Sequence, residues 1–248
     1  LYNISRLIEN SKTIKINKIE DKWILSKLNS LIKEVSKEIE NLHPHMATKK
    51  LQDFWLNNLS RGYIQMTRER ISNDDEEVQY ILKEVYINLL KLCAPIIPFT
   101  TEEIWQQLKE NKIVKKESVH LSSWPKADVK LINKKLEEEF EEALKIIEKG
   151  LAERDKEQIG LKWPLAQAEV KSNKKLSKEL QRVIESQLNV KKINLLDNKE
   201  ISVKLDLKIT PELEAEGYAR NITRAVQSLR KKIGLIKNDK IELHLVVD

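Results

Sequence analysis

The run Leu59-Ser60-Arg61-Gly62-Tyr63-Ile64-Gln65-Met66-Thr67-Arg68-Glu69-Arg70 sets cations and hydrogen-bonding groups at helical spacing, with no catalytic constellation among them. At about 3.6 residues per turn, Arg61, Gln65 and Arg68 share one face, while Trp55, Leu59, Gly62 and Met66 share another. The first face suits phosphate oxygens and the second suits a core. The same spacing also describes an ordinary solvated helix with surface arginines. Arg70 lies nearer the Trp55 and Tyr63 side, where a structural ion pair competes with an anionic ligand.

Two further places could do binding chemistry. Between Thr210 and Ile233, the residues Arg220, Arg224, Gln227 and Lys231 recur at steps of four, three and four beside an apolar stripe of Leu213, Ile222, Val226, Leu229 and Ile233. That basic stripe fits a phosphate track, although Glu216 stands four residues before Arg220 and can pair with it within the helix. Lys162-Trp163-Pro164 sets a cation and an indole in a turn, where the ring either stacks on an unpaired base or is buried. Catalytic chemistry is poorly supplied. Glycine occurs only at 62, 150, 160, 217 and 234, so neither a phosphate-cradling P-loop nor a dinucleotide fingerprint can be written. His43 and His45 flank Pro44, read as a turn and not as a metal pair, and no metal site is expected.

Stepping from these residues to what must hold them, apolar periodicity gives a first helix from Asp21, a plausible cap, through Trp23, Ile24, Leu28, Leu31, Ile32, Val35 and Ile39. A second helix is expected from Met46 to Ile71 and a third from Glu76 to Ala94. Pro95 and Pro98 then force a bend, after which Thr100 or Thr101 caps a fourth helix. An extended tail leads to Trp124-Pro125, and a long helix starts near Lys130. Beyond it the period shortens. Strands are expected at 167–170, 190–196, 201–209 and 241–247, with helices at 175–188 and 210–233 between them. The chain is therefore expected to be mainly α: a connector at 1–20, a helical bundle at 21–129, and a smaller α+β domain at 130–248 that includes the long linking helix.

Composition narrows the classes. A chain of 248 residues, 40% hydrophobic and 34% charged with its charges spread through periodic segments, is a folded chain with room for two cores. The net charge of +6 favours an anionic partner. Cys93, the single cysteine, rules out an intrachain disulfide and fits a reducing, cytoplasmic setting. No apolar run approaches the ~18 to 20 residues that span a bilayer, so no membrane partner is expected.

These residues, taken in order, resemble a known family. Leu59-Ser60-Arg61-Gly62-Tyr63 with Arg68 and Arg70, then Ala94-Pro95-Ile96-Ile97-Pro98-Phe99 with Glu102-Glu103-Ile104-Trp105, then Val119-His120-Leu121 before Trp124-Pro125, resemble the anticodon-binding bundle of class I isoleucyl-, valyl- and leucyl-tRNA synthetases. Ile159-Gly160-Leu161-Lys162-Trp163-Pro164-Leu165 and Thr210-Pro211-Glu212-Leu213-Glu214-Ala215-Glu216-Gly217-Tyr218-Ala219-Arg220 narrow the likeness to the C-terminal part of isoleucyl-tRNA synthetases of the archaeal and eukaryotic-like type. Gly62 departs from the bulky aromatic usual in the family, and Lys162 from the usual arginine.

The resemblance implies a partner, the anticodon stem-loop of isoleucine tRNA, with Arg61, Arg68, Arg220 and Arg224 on phosphates, Tyr63, Gln65, Arg70 and Trp163 as base or loop contacts, and Lys162 as a further RNA-binding residue that offers a point charge and no direct base contact. It implies further partners in the catalytic and editing domains of a longer parent, which uses ATP and a divalent metal ion. The HIGH and KMSKS motifs of that catalysis do not occur here, so this portion is expected to need no cofactor and to catalyse nothing. Other readings are the corresponding part of a valyl-tRNA synthetase, and a basic scaffold module that docks on acidic proteins.

Overall fold

A computed structural model of the chain describes residues 15–174, 176–235 and 239–244. Two compact units meet inside one long helix, the first running to Leu144 and the second from Lys145.

The first unit is helical: α1 (Ile19–Glu40), α2 (Pro44–Asp53), a wide π-type helix (Phe54–Ile64), α3 (Arg68–Ser72), α4 (Glu76–Cys93), α5 (Pro98–Glu110) and the first part of α6 (Lys134–Lys156). The apolar periodicity of α1 is spent on the core, where Trp23, Ile24, Leu28, Ile32 and Val35 are at most 3% exposed. Trp23 stacks on Phe140 of α6 with ring centroids 4.7 Å apart. Three starts differ from expectation. Helix α1 begins at Ile19, so Asp21 lies in its first turn and points into the core, where it does not serve as the cap. Pro44 and Pro98 open α2 and α5 from within, because proline's missing N–H costs nothing in a first turn. Thr101, expected as a cap, instead donates back to the carbonyls of Ile97 and Pro98.

Between α5 and α6 the chain straps the bundle. Trp105 Nε1 donates to the Lys116 carbonyl at 2.9 Å, Trp124 Nε1 to Ser36 Oγ at 2.8 Å, and the Asp128 amide to Asn29 Oδ1 at 2.8 Å. The strap ends on Glu137, almost wholly buried, which accepts from Ser26, Ser30 and Lys134. Burial alone would raise this carboxyl; the three donors outweigh it and hold it below the usual carboxylate range.

The second unit is a three-stranded sheet in the order β2-β1-β3, with β1 Leu165–Ser172, β2 Val190–Asp197 and β3 Ser202–Leu205. Strands β1 and β2 are parallel, joined through α7 (Lys178–Leu188), and β3 returns antiparallel to β1. The alternation seen at 201–209 becomes a strand only over Ser202–Leu205; one further bond, from the Asp206 amide to the Gln167 carbonyl at 3.0 Å, follows it, and α8 (Pro211–Lys232) comes next. Residues 241–244 form no strand, and the rest of the strand expected there lies outside the described residues. Connector 1–20 is described only from Lys15, and helix α1 already takes up its last two residues.

Candidate nucleic-acid interface

The wide helix carries Leu59 to Ile64, and the chain continues through Gln65, Met66 and a turn at Thr67 into α3 with Arg68 and Arg70. Its inner side is fixed by Leu59 and Tyr63, both 0% exposed, and by Gly62, which lies against the Trp23 indole. A Cβ added to Gly62 would come within 2.9 Å of the Asn57 carbonyl and 3.0 Å of the Trp23 ring. Glycine here is a spacer that lets two helices approach, and the bulky aromatic expected at this position would have no room. On the outer side Arg61, Gln65 and Arg68 are all exposed. None of the three forms an ion pair among the described residues; Arg61 makes only a long contact, 3.5 Å, with Asn57 Oδ1. Three polar groups, two of them cationic, therefore remain available to a ligand.

Tyr63 and Arg70 correct the sequence reading. The Tyr63 hydroxyl donates to Asp21 Oδ1 at 2.6 Å, and burial first, then the Asp21 charge, pushes the phenol pKa well up. With no exposed surface this ring has no face to offer a base. Arg70 is claimed by carboxylates: Asp21 at 2.8 and 3.1 Å, Glu20 at 2.9 Å and Asp75 at 3.0 Å. Burial works against the guanidinium charge, but these partners prevail and keep it protonated. Burial also pushes Asp21 up to about 6, against the opposing pull of Arg70 and Tyr63, so it is ionised at neutral pH and neutralises Arg70. The structural ion pair takes Arg70, which ties α1 to α3 and to the cap of α4.

In the second unit, Trp163 also has a structural task. Its indole packs against Gly217 of α8, where an added Cβ would fall 2.1 Å from the ring. Tyr218 meets it edge-on at 5.3 Å, and the Lys162 ammonium sits 5.5 Å from the ring centroid. Trp163 is thus packed among its neighbours, and the exposed aromatic of this corner is Tyr218, 54% exposed. Helix α8 buries only Leu213 and Gly217, and is seated through its first two turns. Beyond them Arg220, Arg224, Gln227 and Lys231 lie exposed, as do Ile222 and Leu229. Arg220 does pair with Glu216, at 2.9 Å.

Arg154 was missed altogether. It is 2% exposed, and its guanidinium donates to the carbonyls of Leu188 at 2.8 Å, Asn189 at 3.0 Å, Trp163 at 3.1 Å and Gly160 at 3.3 Å. Two of these are the orphan carbonyls at the end of α7, where a cation is favoured. The other two shape the Lys162–Trp163 turn. Only its place in the last turn of an amphipathic helix hinted at such a role.

A cleft of about 530 Å³ in the helical unit includes Lys27, Lys50 and Lys134 in its lining, paired with Glu141, Glu34 and Glu137 respectively. No three His, Cys, Asp or Glu side chains converge on a metal-sized site among the described residues. His43 Nδ1 contacts Glu38 at 3.4 Å, and Cys93 is buried, its thiol pushed up to about 11 by desolvation. No described helix is long and apolar enough to cross a membrane.

Comparison with known proteins gives this arrangement its context. The isoleucine–tRNA ligase of Pyrococcus abyssi is 30% identical over 303 aligned positions, which take in 90% of this chain and 28% of that protein. The isoleucine–tRNA ligase of Thermococcus kodakarensis is 35% identical over the same shares of each chain, and that of Clostridium tetani is 35% identical over 87% of this chain and 21% of its own. The chain thus spans less than a third of the length of these relatives. Residues 21–172, more than half of the chain, match the family model of the anticodon-binding domain of tRNA ligase, and the chain belongs to that family.

Proposed function

We propose that this chain is the tRNA-binding portion of an isoleucine–tRNA ligase and that it holds the anticodon stem-loop of isoleucine tRNA. The observation that carries the reading is the exposure of Arg61, Gln65 and Arg68, free of ion pairs among the described residues, in a chain that belongs to an anticodon-binding family. Arg61 and Arg68 would neutralise backbone phosphates, and Gln65 would offer its amide to a base edge. Arg220, Arg224 and Lys162 would add a second cationic track in the mixed unit. Tyr63, Arg70 and Trp163 would act by holding these surfaces in place.

Aminoacylation, with its ATP and divalent metal ion, would belong to catalytic and editing portions of a longer chain, and binding would be this portion's own contribution in the cytoplasm. The test is affinity for a hairpin carrying the isoleucine anticodon against one with the anticodon swapped, across a salt series. Preference for the first and a steep fall of log affinity with log salt are expected. Equal binding to both hairpins would remove the claim of anticodon recognition. Replacing Arg61 and Arg68 together should weaken both hairpins alike and flatten the salt slope by about 0.7 per lost phosphate contact, the single-strand value.

A further inference from the structure

We propose that Lys191, Glu216 and Arg220 form a phosphodiester site in the mixed unit, closed by Glu216 until RNA displaces it; this rests on the RNA-binding reading above. The starting point is the charge of Arg154. Its N–H groups are satisfied by four carbonyls, yet no carboxylate pairs with it among the described residues. Carbonyls satisfy hydrogen bonds and leave the charge uncancelled. Desolvation lowers its pKa to about 10, and repulsion from Arg220 acts in the same direction. The two cations repel each other, and both would gain from an anion.

One carboxylate partly meets that need. Glu216 gives one oxygen to Lys191 Nζ and the other to Arg220 Nη2, so a single acid bridges strand β2 and helix α8. Two oxygens of one anion, each taking one cation, is the arrangement that the non-bridging oxygens of a phosphodiester reproduce. The bridge is also accessible: the side chains of Lys191, Arg220 and Glu216 are 53%, 44% and 32% exposed. Lys191 and Arg220 against the single charge of Glu216 leave an excess of positive charge.

In this scheme Glu216 competes with the ligand, so removing its charge should strengthen binding. Glu216→Gln is expected to tighten binding of the isoleucine anticodon hairpin about fivefold and to steepen its salt dependence. Lys191→Met should weaken wild-type binding and cancel the gain from Glu216→Gln, because the two changes act on one site. Lys191→Glu tests the same point from the sheet side and should weaken binding further. A Glu216→Gln chain that binds equally or more weakly, or whose gain survives Lys191→Met, would overturn the site while leaving the functional reading intact. Failure of the wild-type chain to bind any hairpin at low salt would overturn the functional reading. Stabilisation of the Glu216→Gln chain by millimolar inorganic phosphate, without any RNA binding, would assign a free-phosphate site and overturn the RNA assignment.

Discussion

Arg70→Met separates a structural arginine from an RNA-contacting one. The substitution keeps an unbranched stem and deletes the donors that now reach Asp21, Glu20 and Asp75. Asp21, 0% exposed, would keep only the Tyr63 hydroxyl. Removing one partner of a buried pair costs roughly 3–5 kcal/mol; with the Arg70 side chain 18% exposed and partly hydrated, about 3 kcal/mol is the expectation at neutral pH. The loss should depend on pH in a definite direction. Asp21 has a folded pKa of about 6 against an ordinary value of 3.8, so the native state holds its proton more tightly and stability falls as pH rises through that window. Without Arg70 the folded pKa rises further, and the window extends upward. The variant should therefore lie closest to wild type near about pH 5, where Asp21 is largely protonated in both, and farthest from it near about pH 8. Urea unfolding followed by tryptophan fluorescence reads this directly, since Trp23, Trp55, Trp105 and Trp124 all lie in the helical unit. A destabilisation below about 1 kcal/mol, or one equal at both pH values, would refute the buried-pair argument. Weakened hairpin binding by a variant of unchanged stability would restore Arg70 to the RNA-contacting set.

Three further outcomes follow from close contacts. Gly62→Ala should cost about 1–3 kcal/mol, because its Cβ meets the Trp23 ring and a main-chain carbonyl that cannot both withdraw; thermal melting checks this. Gly217→Ala should unseat α8 from Trp163, seen as faster proteolysis within 211–232 and a changed near-ultraviolet signal, while Trp23 and its surroundings keep their protection from hydrogen exchange. Glu137→Gln should remove a stabilising contribution that the wild type holds at neutral pH and loses as pH falls through the lowered folded pKa, so the two chains should converge in stability in acid.

The sequence carried the helices because amphipathic periodicity is local: Trp23 through Val35 announces both a helix and its buried face. It carried the exposed cations for the same reason, since Arg61, Gln65 and Arg68 needed only their own phase. Partners distant in the chain were out of reach. Arg70 meets residues 49 and 50 positions away, and nothing in its neighbourhood could tell an RNA phosphate from Asp21. Trp163 was ambiguous until Gly217 appeared beneath it, a glycine whose purpose shows only once the helix is seated. Arg154 left almost no trace because its partners are main-chain carbonyls, which every sequence has. The strand expected across 201–209 stopped early because alternation describes a surface that could pair and does not supply the neighbour.

The strap across the bundle sets an order of assembly on the ribosome. Ser26 and Ser30 lie in helix α1, yet their acceptor Glu137 follows 111 and 107 residues later. Asn29 and Ser36 likewise await the Asp128 amide and the Trp124 indole. Helices α1 to α5 can gather on local contacts while translation continues, but their polar seam stays hydrated until the chain near Glu137 has left the exit tunnel. The nascent bundle is thus collapsed before it is sealed, and sealing is a late, long-range event of the kind that limits folding speed.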